Sequence, residues 1–127
     1  MQPTADDLAL YERAKQAAAR AYAPYSQFAV GAALRAASGA VHLGVNVENA
    51  SYGMTCCAER TAVFTAVTAG DREFTAIGVH AGDGGPPCGA CRQVLSEFAP
   101  DLRVIWLRNG EVVASSLREL LPEQFQL

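Results

Sequence analysis

Three cysteines and one glutamate have the residue types and the spacing of a catalytic metal site. Cys57 precedes Glu59 by two residues, and Cys88 and Cys91 form a Cys-x-x-Cys pair about thirty residues further along the chain. Three thiolates can hold Zn²⁺ and leave its fourth position to water, whereas a structural zinc site closes all four positions with protein atoms. We therefore predict a catalytic zinc site in which Glu59 takes a proton from the bound water and passes it to a leaving group.

The negative charge of three thiolates around one Zn²⁺ must be offset, because it opposes the loss of a proton from the bound water. Both cysteine motifs lie at the predicted start of a helix, where the helix dipole is positive. Arg60 and Arg92 each directly follow a motif residue, so both side chains are expected to donate hydrogen bonds to sulfur.

The cysteines also allow other interpretations. Taken alone, the pair Cys88 and Cys91 is equally typical of a redox dithiol or of half a structural zinc site. The addition of Cys57 and Glu59 favours catalytic zinc. Cys56 offers a second thiol beside Cys57, but the two-residue step from ligand to glutamate selects Cys57. Cys56 is then interpreted as a small buried apolar residue.

Hydrophobic periodicity and turn residues predict the order of helices and strands. Apolar residues recur at helical spacing from Thr4 to Ala21, with Thr4 and Asp7 placed to cap the start. Further helices are predicted over residues 57–67, 88–98 and 116–121, and strands over 28–34, 40–47, 74–80, 102–107 and 111–114. Asn109-Gly110 is the dipeptide that two-residue hairpin turns prefer, so the last two strands should run antiparallel.

This order predicts an α/β fold, a three-layer α-β-α sandwich with a mixed five-stranded sheet, in a single domain over residues 1–127. The central strand–helix–strand unit should pair its strands in parallel. The separation of the two cysteine motifs is the length of one crossover unit. The two helix starts that carry the cysteines can therefore meet at one edge of the sheet.

Composition narrows the possible partners and compartments. The net charge is −3, and the single lysine, Lys15, and the nine arginines are spread along the chain, whereas polymeric nucleic acid requires clustered basic residues. No apolar run is long enough to span a membrane. Residues 1–7 lack the pattern of a secretory signal, so we expect a cytoplasmic protein whose cysteines are ligands or thiols rather than disulfides.

The two cysteine motifs are the signatures of the zinc nucleoside deaminases: Cys-Ala-Glu-Arg-Thr-Ala at residues 57–62 and Pro-Cys-Gly-Ala-Cys-Arg-Gln at residues 87–93. From about residue 22 to residue 125 the chain resembles the short-chain, homotetrameric cytidine deaminases. The resemblance extends to Tyr-Ala-Pro-Tyr-Ser at 22–26, Phe-Ala-Val-Gly-Ala-Ala at 28–33 and Asn-Val-Glu-Asn-Ala at 46–50. It implies hydrolysis of cytidine and 2′-deoxycytidine in pyrimidine salvage, with one Zn²⁺ per subunit and attack of zinc-bound hydroxide at C4.

The resemblance also implies a set of substrate contacts. Phe28 would pack against the pyrimidine, Asn46 and Glu48 would hydrogen-bond the ribose hydroxyls, and the backbone near Ala58 would contact the base carbonyl. Phe125, in the C-terminal tail, would stack on the base bound by an adjacent subunit. That arrangement implies a homotetramer with active sites shared between subunits.

Without the resemblance, these substrate residues have plainer interpretations. Asn46 and Glu48 follow a predicted strand, where polar side chains are typical of a solvated turn. Phe28 is typical of core packing, and Phe125 of a tail residue that covers it. Arg60 is equally typical of a surface arginine.

Two histidines and one glycine-rich segment receive no functional role. His42 and His80 are single histidines in predicted strands, where a structural histidine is commoner than a metal ligand. Residues 82–85 are rich in glycine but lack the lysine of a phosphate-binding loop, so we interpret them as a flexible connection.

Competing functions remain open from the residues alone. A related enzyme would deaminate another aminopyrimidine nucleoside, such as blasticidin S, or a base within RNA or DNA. A protein of a different class would be a non-catalytic interaction module stabilised by zinc. Glu59 speaks against that module, because a purely structural site has no use for an acid beside its metal.

Overall fold

The computed structural model describes all 127 residues. Its elements are the helices α1 (Ala5–Ala17), α2 (Ala58–Thr68), α3 (Gly89–Phe98) and α4 (Leu117–Leu120), and the strands β1 (Val30–Ala36), β2 (Val41–Val45), β3 (Phe74–Ala81), β4 (Arg103–Arg108) and β5 (Glu111–Ser116). Short 3₁₀ turns cover Ala18–Arg20 and Tyr52–Met54. None of the helices combines the length and the hydropathy that a membrane crossing requires.

The five strands form one mixed sheet in the order β2-β1-β3-β4-β5. β1 runs antiparallel to both β2 and β3, and β4 runs antiparallel to β5. β3 and β4, which α3 connects, pair in parallel with Ile77 opposite Val104. The predictions of a mixed five-stranded sheet and of a parallel strand–helix–strand unit are therefore confirmed.

Helices cover both faces of the sheet. Successive side chains of a strand point to opposite faces. On one face, Ala32 and Leu34 of β1 belong to the apolar cluster that includes α2 and α3. On the other face, Ala33 belongs to a smaller cluster with Leu10 and Ala14 of α1. The three-layer α-β-α arrangement is confirmed.

Two glycines let helices approach the sheet at backbone distance. A Cβ at Gly31 in β1 would lie 2.0 Å from the carbonyl oxygen of Ala14 in α1. A Cβ at Gly44 in β2 would lie 2.4 Å from the carbonyl oxygen of Ala58 and 2.4 Å from the backbone nitrogen of Ala62, both in α2. The small residues of α2 thus lie directly against the strands, and the position of α2 depends on Gly44 having no side chain.

The helix caps and the last hairpin match the sequence predictions. Thr4 caps α1 in a capping box with Asp7, since each side chain accepts from the other residue's backbone N–H. Asn109 and Gly110 both have positive φ, at 50° and 81°, as the turn between β4 and β5 requires. α1 ends at Ala17, four residues earlier than predicted, and a 3₁₀ turn continues it.

The first two strands differ from their predicted limits near the cavity. β1 begins at Val30 rather than at Phe28, because the Asn46 side chain bonds the backbone there: Oδ1 accepts from Val30 N at 2.9 Å and Nδ2 donates to Phe28 O at 2.7 Å. β2 ends at Val45 because Val47 instead exchanges backbone hydrogen bonds with Cys56. Phe28 therefore lies in a loop rather than on a strand.

Candidate active site

Two helix N-termini bring the cysteine motifs together. Cys57 is the N-cap residue of α2 and Cys88 is the N-cap residue of α3, both with extended backbone. The Cys57 side chain makes no capping hydrogen bond, so its sulfur is not committed to the backbone at the start of α2. Cys91 lies in the first turn of α3 and is completely buried. The crossover between β3 and β4 thus places the sulfurs of Cys88 and Cys91 at the sheet edge where the start of α2 places the sulfur of Cys57.

The three sulfurs lie in the geometry of a metal site. The Sγ atoms of Cys57, Cys88 and Cys91 all lie within 4.8 Å of one another, and those of Cys88 and Cys91 are 3.4 Å apart. Zn–S bonds of about 2.3 Å in a tetrahedron place sulfurs roughly 3.8 Å apart. The donor set and its spacing therefore fit zinc, with three protein ligands and room for a fourth, non-protein one.

The electrostatics of the cluster also fit a cation. Burial raises the pKa of the Cys91 thiol, and the nearby charges of Glu59 and Cys57 raise it further. Burial also opposes ionisation of Cys88, but hydrogen bonds led by the Cys91 backbone N–H at the start of α3 outweigh it and lower the pKa of Cys88. Grouped thiolates repel one another, and a divalent cation between them removes that repulsion.

Arg60 and Arg92 behave differently. Arg60 Nη2 donates to Cys57 Sγ at 3.3 Å, which raises the pKa of the guanidinium and places a fixed positive charge beside the sulfurs. Arg92 does not bond to sulfur, so that expectation was wrong. Its Nε donates to Pro87 O at 2.7 Å and its Nη1 to Leu120 O at 2.5 Å. The side chain therefore bonds the carbonyl that precedes the α3 cap and the carbonyl at the end of α4.

Glu59 lies beside the sulfurs in the first turn of α2 and is 5% exposed. Burial raises the pKa of its carboxyl, and hydrogen bonds from its own backbone N–H and from Cys91, with the charge of Arg60, only partly oppose this. A carboxyl with a raised pKa can hold a proton closer to neutral pH than a solvated one. This is the property that an acid–base group needs in order to accept a proton and then release it.

A cavity of about 460 Å³ opens above the cluster. It is lined by residues of both cysteine motifs and by the predicted substrate residues, namely Phe28, Asn46, Glu48, Cys57, Ala58, Glu59 and Cys88. Asn46 and Glu48 are buried, at 8% and 7% exposed, so the interpretation as a solvated turn is wrong. Phe28 is 42% exposed, and its ring faces open space rather than the core.

Two segments line the cavity without having been predicted to do so. Ser26 lines the wall beside Glu48, with which its hydroxyl forms a hydrogen bond. Gly84, Gly85 and Pro86 also line the cavity. The backbone N–H of Gly85 donates to Leu107 O at 2.8 Å, so the glycine-rich segment is anchored to β4 rather than a flexible connection. In the sequence, two glycines directly before a pair of prolines are the signal of such a fixed turn, and both glycines have positive φ in the structure.

Other residues lie away from the cluster. The Cys56 sulfur accepts from the Thr61 hydroxyl at 3.7 Å and is not among the three grouped sulfurs; Cys56 is only half-buried. Phe125 is 66% exposed and does not line its own chain's cavity. His42 pairs with Asp71 at 2.7 Å and His80 contacts the Tyr11 hydroxyl, so both histidines have structural partners.

A three-sulfur centre beside a buried acid, at the base of a cavity with polar side chains, defines a zinc-dependent hydrolase. Comparison with known proteins gives the family. The family model described as "Cytidine and deoxycytidylate deaminase zinc-binding region" matches residues 4–107. The chain belongs to this family, which confirms the resemblance, and it binds one zinc ion per subunit.

Individual relatives cover almost the whole chain. A cytidine deaminase of Sporosarcina psychrophila is 48% identical over 120 residues, covering 91% of this chain and 88% of the relative. The crystal structure of cytidine deaminase from Burkholderia pseudomallei has a TM-score of 0.87 at 52% identity, covering 93% of this chain and 98% of that one. That of cytidine deaminase from Mycobacterium tuberculosis has a TM-score of 0.87 at 41% identity, covering 98% and 100%.

Proposed function

We propose that this chain, as a single domain, hydrolyses cytidine and 2′-deoxycytidine to uridine and 2′-deoxyuridine, releasing ammonia in pyrimidine salvage. The observation that carries the proposal is the convergence of three cysteine sulfurs and the buried Glu59 on a cavity that also presents Asn46 and Glu48. The candidate metal ligands Cys57 and Cys88 and the side chains that could hydrogen-bond a sugar thus line the same cavity. The volume of the cavity suits a small ligand rather than a polymer.

Cys57, Cys88 and Cys91 would hold Zn²⁺, which would lower the pKa of a water molecule towards neutral and so make that water a nucleophile for the pyrimidine ring. Glu59 accepts the proton that this water loses. The same carboxyl then gives a proton to the amino nitrogen, which leaves as ammonia. Arg60 offsets the negative charge of the sulfurs by its hydrogen bond to Cys57.

Groups in the cavity wall would orient the substrate. The first N–H groups of a helix have no acceptor within the helix, so the backbone at Ala58 can donate to the carbonyl of the base. Phe28 offers an exposed ring for packing against the pyrimidine. Asn46 lines the cavity and has one amide hydrogen and one lone pair beyond its bonds to the backbone at 28 and 30, which leaves both available to hydrogen-bond the sugar.

The functional unit in this proposal is a homotetramer in the cytoplasm. Large apolar side chains are exposed near the cavity and in the tail, namely Tyr22, Tyr25, Tyr52, Met54 and Phe125. Such exposure favours burial against further copies of the chain, in which Phe125 would reach the base in an adjacent subunit. The free thiols suit a reducing compartment.

Truncation tests the shared site. Deletion of residues from Pro122 onward should abolish deamination while zinc remains bound, because each cavity loses the aromatic ring supplied by a neighbour. Light scattering after gel filtration measures the assembly of the same sample. A truncated monomer with full activity would refute the role of Phe125.

A substrate panel tests the reaction. Purified zinc-loaded protein is incubated with cytidine, 2′-deoxycytidine, cytosine, blasticidin S, adenosine and a short cytosine-containing oligonucleotide, and deamination is followed by the change in absorbance. We expect turnover of the two cytosine nucleosides above all others. Preferred turnover of blasticidin S or of the oligonucleotide would replace the proposed substrate. No turnover of any compound would favour a non-catalytic zinc module.

A further inference from the structure

The carboxylate of Glu48 is already engaged by a neighbouring segment of the chain. Its Oε1 accepts from the backbone N–H of Tyr25 at 2.9 Å and from that of Ser26 at 3.1 Å. Its Oε2 accepts from the hydroxyl of Ser26. An ionised carboxylate has about four acceptor positions. Three of them are used within the chain, so one remains for a ligand in the cavity.

The direction of each hydrogen bond at Ser26 is fixed. A serine hydroxyl has a single proton to donate, and Glu48 has no proton to give when ionised. Ser26 Oγ therefore donates to Glu48 and accepts from the backbone N–H of Phe28, at 3.0 Å. Gln27, between these two residues, has a positive φ of 58°, which closes the loop tightly enough for this contact.

We propose that Ser26 is a positioning residue for sugar recognition: its hydroxyl holds the Glu48 carboxylate so that the single free acceptor on Oε2 meets one ribose hydroxyl. This inference rests on the proposed nucleoside function and assigns a role to a residue that does not contact the reacting atoms. The two backbone donors hold Oε1 whatever side chain residue 26 carries. Within the chain, Oε2 accepts a hydrogen bond from the Ser26 hydroxyl alone.

The charge state of Glu48 agrees with this role. The hydrogen bond from the Ser26 hydroxyl lowers the pKa of the Glu48 carboxyl, and the two backbone donors lower it further against the effect of burial. An ionised acceptor forms stronger hydrogen bonds to hydroxyl groups than a neutral one. Removal of the Ser26 hydroxyl would free Oε2 to turn away from the sugar, without removing the charge.

The test compares two ligands that differ only in the sugar. For wild-type protein and for Ser26→Ala, we measure kcat and KM for cytidine and the competitive inhibition constant of 2′,3′-dideoxycytidine, which has no hydroxyl for Glu48. Ser26→Thr keeps the hydroxyl and serves as the rescue variant. Ser38→Ala is the matched control, since the Ser38 hydroxyl donates to another carboxylate, Asp71 Oδ1 at 3.3 Å, in a surface turn.

We expect Ser26→Ala to raise KM for cytidine on the order of tenfold, with kcat within about threefold of wild type, because the lost contact binds substrate and transition state alike. The inhibition constant of 2′,3′-dideoxycytidine should change by less than about threefold. Ser26→Thr should restore KM, and Ser38→Ala should behave as wild type.

Three outcomes would overturn the inference. An equal rise of KM for cytidine and of the inhibition constant of 2′,3′-dideoxycytidine would show that Ser26 shapes the whole cavity rather than the sugar contact. An unchanged KM would show that the backbone donors alone position Glu48. Wild-type protein that does not turn over cytidine would refute the proposed function itself, and the role of Ser26 with it.

Discussion

Replacement of Gly44 by alanine should disturb the active site indirectly, by displacing the helix α2 that carries Glu59. Gly44 lies in β2 and carries no catalytic group. The Cβ that alanine adds would meet the backbone of α2, 2.4 Å from Ala58 O and 2.9 Å from Ala62 Cα. These are backbone atoms that cannot rotate away, so the start of α2 must move.

The size of that movement follows from the contact distances. Ordinary van der Waals contact begins at 3.4 Å, so the first turn of α2 must retreat by about 1 Å. Cys57 and Glu59 move with it, whereas Cys88 and Cys91 on α3 stay in place. A misplacement of about 1 Å costs roughly a hundredfold in rate, and overpacking costs about 1–3 kcal/mol of stability.

The assay separates the site from general stability. We measure kcat for cytidine, zinc content after dialysis and the free energy of unfolding in urea for Gly44→Ala. Gly78→Ala is the matched control on the other face, where the new Cβ would lie 3.1 Å from the backbone of Leu10 and Tyr11 in α1. It should lower stability while zinc content and kcat stay near wild type. Gly82→Ala, with no atom within 4 Å, should leave all three measurements unchanged.

One result would refute this reasoning. If Gly44→Ala keeps wild-type kcat and zinc content although its unfolding free energy falls, the geometry of the cluster does not depend on the contact between β2 and α2. The lower free energy of unfolding would then show that other parts of the chain move to accommodate the added methyl group.

Three further predictions concern charged and sulfur-bearing side chains. Glu59→Gln should keep its zinc and lose about a hundredfold to ten-thousandfold in kcat, measured by absorbance; near-normal turnover would reject Glu59 as the proton carrier. Cys57→Ala should lose zinc in elemental assays while Cys56→Ala keeps it, and the reverse pattern would exchange the ligand assignment. Burial of Asp7 opposes its ionisation, but hydrogen bonds from Arg103 and from the α1 cap outweigh burial and lower the pKa of the Asp7 carboxyl from its ordinary value. The ionised pair therefore stabilises the fold at neutral pH, and this contribution is lost in acid as Asp7 takes up a proton. Asp7→Asn should therefore be less stable than wild type at pH 7, by about 1–3 kcal/mol in urea unfolding, with the difference shrinking in acid; a constant difference across pH would contradict the assignment.

The helix starts and the cluster of three cysteines could be predicted because their signals are local. A cysteine at the start of a small-residue helix, followed by a glutamate two residues later, indicates which sulfur joins the cluster and where the acid lies. The separation of the two motifs by one crossover then places both helix starts at the same sheet edge. The Asn109-Gly110 turn is equally local, because only positive φ at both residues closes that hairpin.

Three of the misjudged features depend on contacts between distant parts of the chain. The hydrogen-bond partner of Arg92 was predicted wrongly, because one of its acceptors is the carbonyl of Leu120 on α4, whose position no local pattern reveals. The glycine-rich segment of residues 82–85 was interpreted as flexible because its anchor, Leu107 O, lies on another strand. Phe28 leaves the sheet because the side chain of Asn46 takes the backbone bonds that a strand neighbour would make.

X-ray absorption at the zinc edge of the purified protein tests the central claim most directly, because it counts the ligands of the metal. We expect three sulfur neighbours at about 2.3 Å and one oxygen neighbour at about 2.0 Å, with one zinc per chain. Four sulfur neighbours would mean a closed structural site that includes Cys56, and a protein that retains no zinc would contradict the account altogether.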